Sequence, residues 1–277
     1  MWGIIPAAGR GTRIQPLAFS KELLPVGTRV DGDSERPMAV SEHLVRRMLA
    51  AGVNKLCFVV SPGKSDILEY YGGEIGSARA CYVVQNEPKG LCDAIFKALP
   101  FIADDEWACV GLPDTIWFPE DGLRTLEKSA HDIVFLLFPV DHPEFFDVVN
   151  TDDAGRVLEI QVKSRTPKGR WIWGGFRIRG RALRELHELW NEPGRSDEYV
   201  GSLINAYIAR GGDVHAVAAG RAYVDVGTVN GYREAIRLLE AVHLLDAAHL
   251  LGPDAALIGA KPAGSNDNYS SLGRVTR

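Results

Sequence analysis

The chain has 277 residues, 46% of them hydrophobic and 24% charged, and its 31 basic and 36 acidic residues leave a formal charge of −5. That length supplies a sizeable core without staples, as one large domain or two small ones. The charge balance excludes a nucleic-acid binder that relies on a broadly basic surface, and no apolar run approaches the roughly 18 residues of a membrane span.

Taken in order, Trp2 to Ala7 is a short apolar run ending in a glycine-rich turn; with no basic segment ahead of it, it reads as a strand and not as a leader. Ser41 to Ala51 has helical spacing, with Leu44, Met48 and Leu49 on one face, Ser41 as the expected N-cap and Gly52 closing it. Strands are predicted at Lys55–Val60 and Ala80–Val84, a helix at Leu91–Leu99, and further strands at Trp107–Leu112 and Ile133–Pro139. This alternation predicts an α/β fold: a doubly wound, mostly parallel but mixed sheet with helices on both faces. After residue 140 the strands Phe146–Asn150, Arg156–Val162 and Trp171–Ile178 follow without long helices between them, which predicts an antiparallel addition. Helices at Arg181–Trp190 and Tyr199–Arg210, short strands at Val214–Ala218 and Ala222–Val226, and a long amphipathic helix at Val229–Leu251 complete one domain, 1–251. The tail, 252–277, is rich in Gly, Ser, Asn and Asp and is expected to be disordered or ordered by a partner.

Cys57, Cys81, Cys92 and Cys109 form no C-x-x-C pair and sit among apolar residues. They are expected to be buried free thiols in a reducing, cytoplasmic setting. The seven histidines show no metal-ligand spacing on a plausible active face and are expected to be structural or solvent-facing.

The most informative segment is Gly9-Arg10-Gly11-Thr12-Arg13-Ile14-Gln15-Pro16, followed by Lys21. Close glycines after a strand let backbone N–H groups converge on an anion, and Arg13 and Lys21 add two positive charges, a combination suited to a polyphosphate. The dinucleotide fingerprint fails because its third glycine falls on Ile14, and Gly63-Lys64-Ser65 is no P-loop because the required first glycine falls on Phe58.

Gly9 to Pro16 together with Lys21-Glu22-Leu23-Leu24-Pro25-Val26 resembles the signature of the sugar-1-phosphate nucleotidylyltransferases, most of all the glucose-1-phosphate thymidylyltransferases, and next to them the UTP-dependent uridylyltransferases. The resemblance implies a Rossmann-like nucleotidyltransferase fold and an order of motifs that runs from Trp2 to about residue 245. It implies that Gly9, Gly11, Thr12 and Arg13 bind the nucleotide, and that Gln85 and Gly90, in Gln85-Asn86-Glu87-Pro88-Lys89-Gly90-Leu91, read a pyrimidine edge. Asp114, after Leu112-Pro113, would sit by the nucleotide and share Mg²⁺ with Asp225 of Tyr223-Val224-Asp225-Val226-Gly227-Thr228. Lys163 and Arg195 would hold the sugar phosphate, and Asp147 and Gly175 would line the sugar side. Arg13, Lys21 and Lys163 would be the catalytic cations.

The departures from the family pattern cluster on the sugar side. Asp147 stands where relatives usually have glycine, Val162 replaces a glutamate that contacts the sugar, Trp173 precedes Gly174-Gly175 where a smaller polar residue is usual, and Pro113 replaces a glycine. Thr28 to Arg36 looks longer than the matching loop. The implied reaction is attack of a sugar 1-phosphate oxygen on the α-phosphorus of dTTP or UTP with release of pyrophosphate. Two alternatives stay open: a catalytically silent module that binds a nucleotide sugar, and a transferase acting on a phosphorylated non-sugar alcohol. The expected partners are a nucleoside triphosphate and a sugar 1-phosphate, with neither nucleic acid nor membrane. The helix at Val229–Leu251 leaves open whether it packs on its own sheet or, in a homo-oligomer, on a second chain.

Overall fold

The computed structural model describes residues 1–251, with side chains to 242, so the expectation for the tail lies outside the described residues. One compact unit, Met1–Arg237, holds the sheet and the helices that cover it.

The elements in chain order are β1 (Trp2–Pro6), β2 (Pro25–Asp31), β3 (Ser34–Ala39), α1 (Val40–Ala50), β4 (Lys55–Val60), α2 (Ser65–Tyr71), β5 (Glu74–Ile75), β6 (Ala78–Val84), α3 (Gly90–Phe96), β7 (Trp107–Gly111), β8 (Thr115–Phe118) and β9 (Ile133–Pro139). Then come β10 (Val148–Thr151), β11 (Val157–Gln161), β12 (Trp171–Arg179), α4 (Gly180–Trp190), α5 (Val200–Ala209), β13 (His215–Val217), β14 (Ala222–Asp225) and α6 (Val229–Leu251).

The sheet is mixed, as the sequence predicts, and its two halves differ. In one, β6, β4, β1 and β7 are all parallel. In the other, nine-residue β12 is the hub. It runs antiparallel to β9 along one edge, while β7 and β10 share its other edge end to end. The register between β12 and β9 slips between Trp173 and Gly175, a bulge of the kind that re-aims a side chain.

Central strands are apolar on both faces because both faces are covered. Alternate residues separate into two cores. Ile4, Cys57, Val110 and Phe135 face α3, α4 and α5, whereas Ile5, Phe58 and Leu136 face Leu44 and Met48 of α1, Ile67 of α2 and Trp117 of β8. Each fully buried side chain of this size contributes about 1.5–3 kcal/mol. Cys57, Cys92 and Cys109 are buried and Cys81 is half-buried opposite Cys57 on the next strand.

Several local expectations need correction. The first helix begins at Val40, not Ser41, because the Glu42 carboxylate accepts the Ala39 N–H at 2.9 Å; the Ser41 hydroxyl donates to Glu22 O at 2.7 Å. The helix predicted at Leu91–Leu99 stops at Phe96, and a separate turn, Leu99–Phe101, follows around Pro100, which cannot donate to a continuing helix. The long Thr28–Arg36 segment is a β-hairpin, β2–β3, with Gly32 at its tip. The sequence reading missed α2 and β8, both too short to show a period. Among the described residues no helix is long and apolar enough to cross a membrane.

Candidate active site

Parallel strands deliver their C-terminal ends to one edge of the sheet, where open α/β sheets place ligands. β1 leads into the Gly9–Arg13 turn, β6 into Gln85 and β7 into the turn that carries Asp114. β14 pairs antiparallel with β8, bringing Asp225 opposite Thr115, and the Val226 N–H donates to Asp114 O at 2.8 Å. The four charged side chains that the motifs single out on the nucleotide side thus meet. Arg13 lies 3.2 Å from Asp225 Oδ2, and Lys21 pairs with Asp114.

Arg13 is 62% exposed and Lys21 only 13%, so one cation is free to follow a ligand and the other is fixed. Burial alone would lower the Lys21 ammonium. The carboxylates of Asp114, Glu22 and Asp225 outweigh it and raise the pKa above the ordinary lysine value. Lys21 folds over Gly11, which has φ +65° and where a Cβ would lie 2.8 Å from Lys21 Cδ. Gly9 and Thr12 are exposed beside it.

A buried pair that the motif reading set aside lies beneath this turn. Lys64 Nζ donates to Glu22 Oε2 at 2.7 Å, Glu22 Oε1 at 2.8 Å and Ala7 O at 2.6 Å. It ties the start of α2 to the end of β1 and to the residue next to Lys21. Burial pushes the Lys64 ammonium down and the Glu22 carboxyl up, and their mutual attraction opposes both. Ser20 is anchored in parallel, its N–H and hydroxyl reaching the Asp66 carboxylate at 2.6 and 2.7 Å. The signal available in the sequence was Lys64 itself, which fitted no phosphate motif.

Asp114 and Asp225 both face Gly227. A Cβ there would lie 2.8 Å from Asp225 Oδ1 and 3.3 Å from Asp114 Oδ2, and 2.9 Å from the Arg13 guanidinium. Two carboxylates converging on a space that only glycine leaves open fit a hard divalent cation with oxygen ligands.

Next to these carboxylates, a cleft of about 210 Å³ is lined by Asp114, Asp147, Lys163 and Trp173. It shares Arg13, Phe145, Phe146, Tyr223 and Asp225 with a neighbouring cavity of about 850 Å³. Lys163 sits in a left-handed turn, φ +48°, which costs a non-glycine residue about 1–3 kcal/mol. Asp147 braces it, accepting its N–H at 3.2 Å with Nζ 4.0 Å away. Burial pushes the Asp147 carboxyl up, against the pull of Lys163.

Two expected sugar-side residues are not brought into this cleft. Gly175 lies inside β12 opposite Gly111, with Val110 O where its side chain would be. Arg195 is paired with Asp197 at 2.8 Å and lines a separate hollow with Tyr199. Tyr199 still connects the two, since its ring centre lies 6.0 Å from Lys163 Nζ.

The histidines need one amendment. His43 is buried, its Nε2–H donating to Val26 O at 2.9 Å. His131 and His215, however, stack beside Asp213, and the three could offer ligand atoms within 4.8 Å of one another. They lie at the starts of β9 and β13, with none of them on the two clefts.

A family model described as nucleotidyl transferase matches residues 2–242. Among known proteins, a glucose-1-phosphate thymidylyltransferase of Neisseria meningitidis is 27% identical over 87% of this chain and 83% of its own. A UTP–glucose-1-phosphate uridylyltransferase of Haloferax volcanii is 27% identical over 87% of this chain and 97% of its own. The fold is shared with a crystal structure from Bacillus anthracis, of a protein provisionally named a glucose-1-phosphate thymidylyltransferase and solved with sucrose. Its TM-score is 0.72 at 24% identity, covering 85% of this chain and 94% of that one.

Proposed function

Because the chain belongs to the nucleotidyl transferase family, we propose that it transfers a nucleotidyl group from dTTP or UTP to a sugar 1-phosphate, giving a nucleotide sugar and pyrophosphate. The observation that carries this reading is the meeting of Arg13 with Asp225 and of Lys21 with Asp114 around Gly227.

The acceptor phosphate is already an anion, so its oxygen attacks the α-phosphorus without a general base. The bond to the pyrophosphate oxygen breaks as the new one forms, and the negative charge leaves with pyrophosphate. Catalysis is then positioning and charge neutralisation. On binding, exposed Arg13 exchanges Asp225 for an oxygen of the triphosphate and follows the charge onto pyrophosphate, while buried Lys21 stays beside Asp114 and offers the phosphates its charge in place. Lys163 holds the acceptor phosphate. Asp114 and Asp225 would hold Mg²⁺, which when bound supplies a template and Lewis acid for the phosphates. Gln85 and Gly90 read the base. These roles suit a cytoplasmic biosynthetic enzyme.

A phosphorylated non-sugar alcohol is the second reading for the acceptor. It is favoured by Asp147 and Trp173, which line the cleft beside Lys163. The test is Mg²⁺-dependent pyrophosphate release, with dTTP, UTP, CTP, ATP and GTP each crossed against sugar 1-phosphates and phosphorylated alcohols. Turnover of dTTP or UTP with a sugar 1-phosphate is expected. Turnover only with an alcohol phosphate selects the second reading, and nucleotide binding without any turnover overturns both in favour of a silent binding module.

A further inference from the structure

Gln85 is 5% exposed, just beyond β6, and two neighbours orient its side-chain amide. Nε2 donates to Asp93 Oδ2 at 2.7 Å and to Gly90 O at 3.2 Å. Both neighbours can only accept: a carbonyl and a carboxylate have no proton to offer. Turning the amide over would aim its oxygen at both, in a site where Asp93 is itself 6% exposed. Lys97, one turn along α3, lies 3.4 Å from the other Asp93 oxygen and supplies the counter-charge. With both amide hydrogens engaged, Oε1 is what Gln85 has left to offer, and it accepts no hydrogen bond among the described residues.

The companion group is the Gly90 N–H. It opens α3, where a helix supplies no acceptor. The next two N–H groups, of Leu91 and Cys92, both reach Glu198 O, at 2.9 and 3.4 Å. Glu198 comes so close that a Cβ on Gly90, whose φ is +86°, would lie 2.7 Å from its Cα. The pair therefore presents one fixed acceptor and one fixed donor.

We infer that Asp93, by fixing the Gln85 amide, makes the site select a base with an N–H at ring position 3, uracil or thymine, over cytosine. The inference rests on the reading of Gln85 and Gly90 as the base-reading pair. With the Gly90 N–H donating to an oxygen of the ring, the N3–H of uracil or thymine donates to Gln85 Oε1. Cytosine in the same pose turns an N3 lone pair toward Oε1, and two acceptors face each other with no proton between them. Asp93 is a positioning residue and touches no substrate. Asp93→Asn puts an amide donor within reach of Gln85 and leaves only the longer Gly90 O contact to hold the amide, so that a share of the chains turn it over and present Nε2 to cytosine N3.

The experiment is calorimetric binding of UTP, CTP and N3-methyl-UTP, with Mg²⁺ and no acceptor, to the full chain and to Asp93→Asn. For the unmodified chain, UTP is expected to bind on the order of 100-fold more tightly than either other nucleotide, the upper scale of the loss when a buried acceptor is left without its donor. In Asp93→Asn the UTP preference over CTP should shrink to below about tenfold, the ratio moving through both nucleotides in opposite directions. A merely structural Asp93 would weaken UTP and CTP equally, which overturns the inference. So does an unmodified chain that binds CTP or N3-methyl-UTP as well as UTP, a result that stands even if Asp93→Asn does not fold. Failure of every nucleotide to bind the unmodified chain would instead remove the base-reading assignment beneath it.

Discussion

On the parallel side of the sheet, Lys21 is buried, paired with Asp114 and backed by the buried Lys64–Glu22 bridge. On the antiparallel side, Lys163 is 55% exposed, held in a left-handed turn and braced by one carboxylate. The first cation is built into the core and has little freedom to adapt. The second rests on a surface turn and an aspartate, where a change of one or two side chains changes what it can hold. In the function proposed above, rigid packing suits a triphosphate of fixed shape, and a surface brace leaves the acceptor side open to change by substitution.

If that comparison holds, the largest effect comes from the buried brace. Lys64→Ala leaves the Glu22 carboxylate buried and unpaired and should cost about 3–5 kcal/mol of stability, read as a lowered denaturant midpoint. A loss under about 1 kcal/mol would mean that the bridge braces nothing. Arg13→Ala should lower the pyrophosphate-release rate about 10²–10³-fold while leaving the thermal midpoint unchanged, because Arg13 is mostly exposed. An equal loss of stability would contradict its assignment to the ligand.

Next is a pH effect. Burial, set against the bond to Val26 O, lowers His43 from 6.5 to about 4. Between those values the unfolded chain takes up a proton that the folded chain does not, so stability falls as pH drops from about 6.5 to about 4, by on the order of 3 kcal/mol at most. His43→Gln should flatten that slope in thermal melts across the range; an unchanged slope would place the titration elsewhere. Asp147 acts in the opposite sense: its raised carboxyl favours the fold at low pH, and that contribution is lost as pH rises through the raised value. Smallest is Asp147→Gly, which removes one hydrogen bond to Lys163 at about 1 kcal/mol. The space it opens beside Lys163 should nonetheless raise activity with glucose 1-phosphate, by no more than about fivefold, the rate change to which about 1 kcal/mol corresponds. Lost activity with every acceptor would show that the brace matters more than the space.

Much of this was legible in the chain itself. Apolar runs such as Ile133–Pro139 mark strands covered on both faces, and the strand agrees with its predicted limits because nothing local competes with it. The motifs singled out Arg13, Lys21, Asp114 and Asp225, and the fold brings all four together, but that Arg13 meets Asp225 and Lys21 meets Asp114 shows only in the structure. Ser41 misled because an N-cap preference is local, and the cap fell at Ala39, whose N–H the carboxylate of the next residue after Ser41, Glu42, accepts. Arg195 and Gly175 were carried over by motif alone, and a motif does not say whether a side chain is already paired or buried in a strand.

By itself the sequence determined the alternation of strand and helix, the glycine-rich turn with its cations and the family, because periodicity and glycine–cation spacing are local and survive in one dimension. Only the tertiary structure decided that Lys64 braces Glu22, that Asp147 holds Lys163 and that Asp93 turns the Gln85 amide. The first two pairs are 42 and 16 residues apart, and the third turns on which atom of an amide faces an acceptor. Such pairings are set by the approach of folded elements, and no spacing along the chain encodes them.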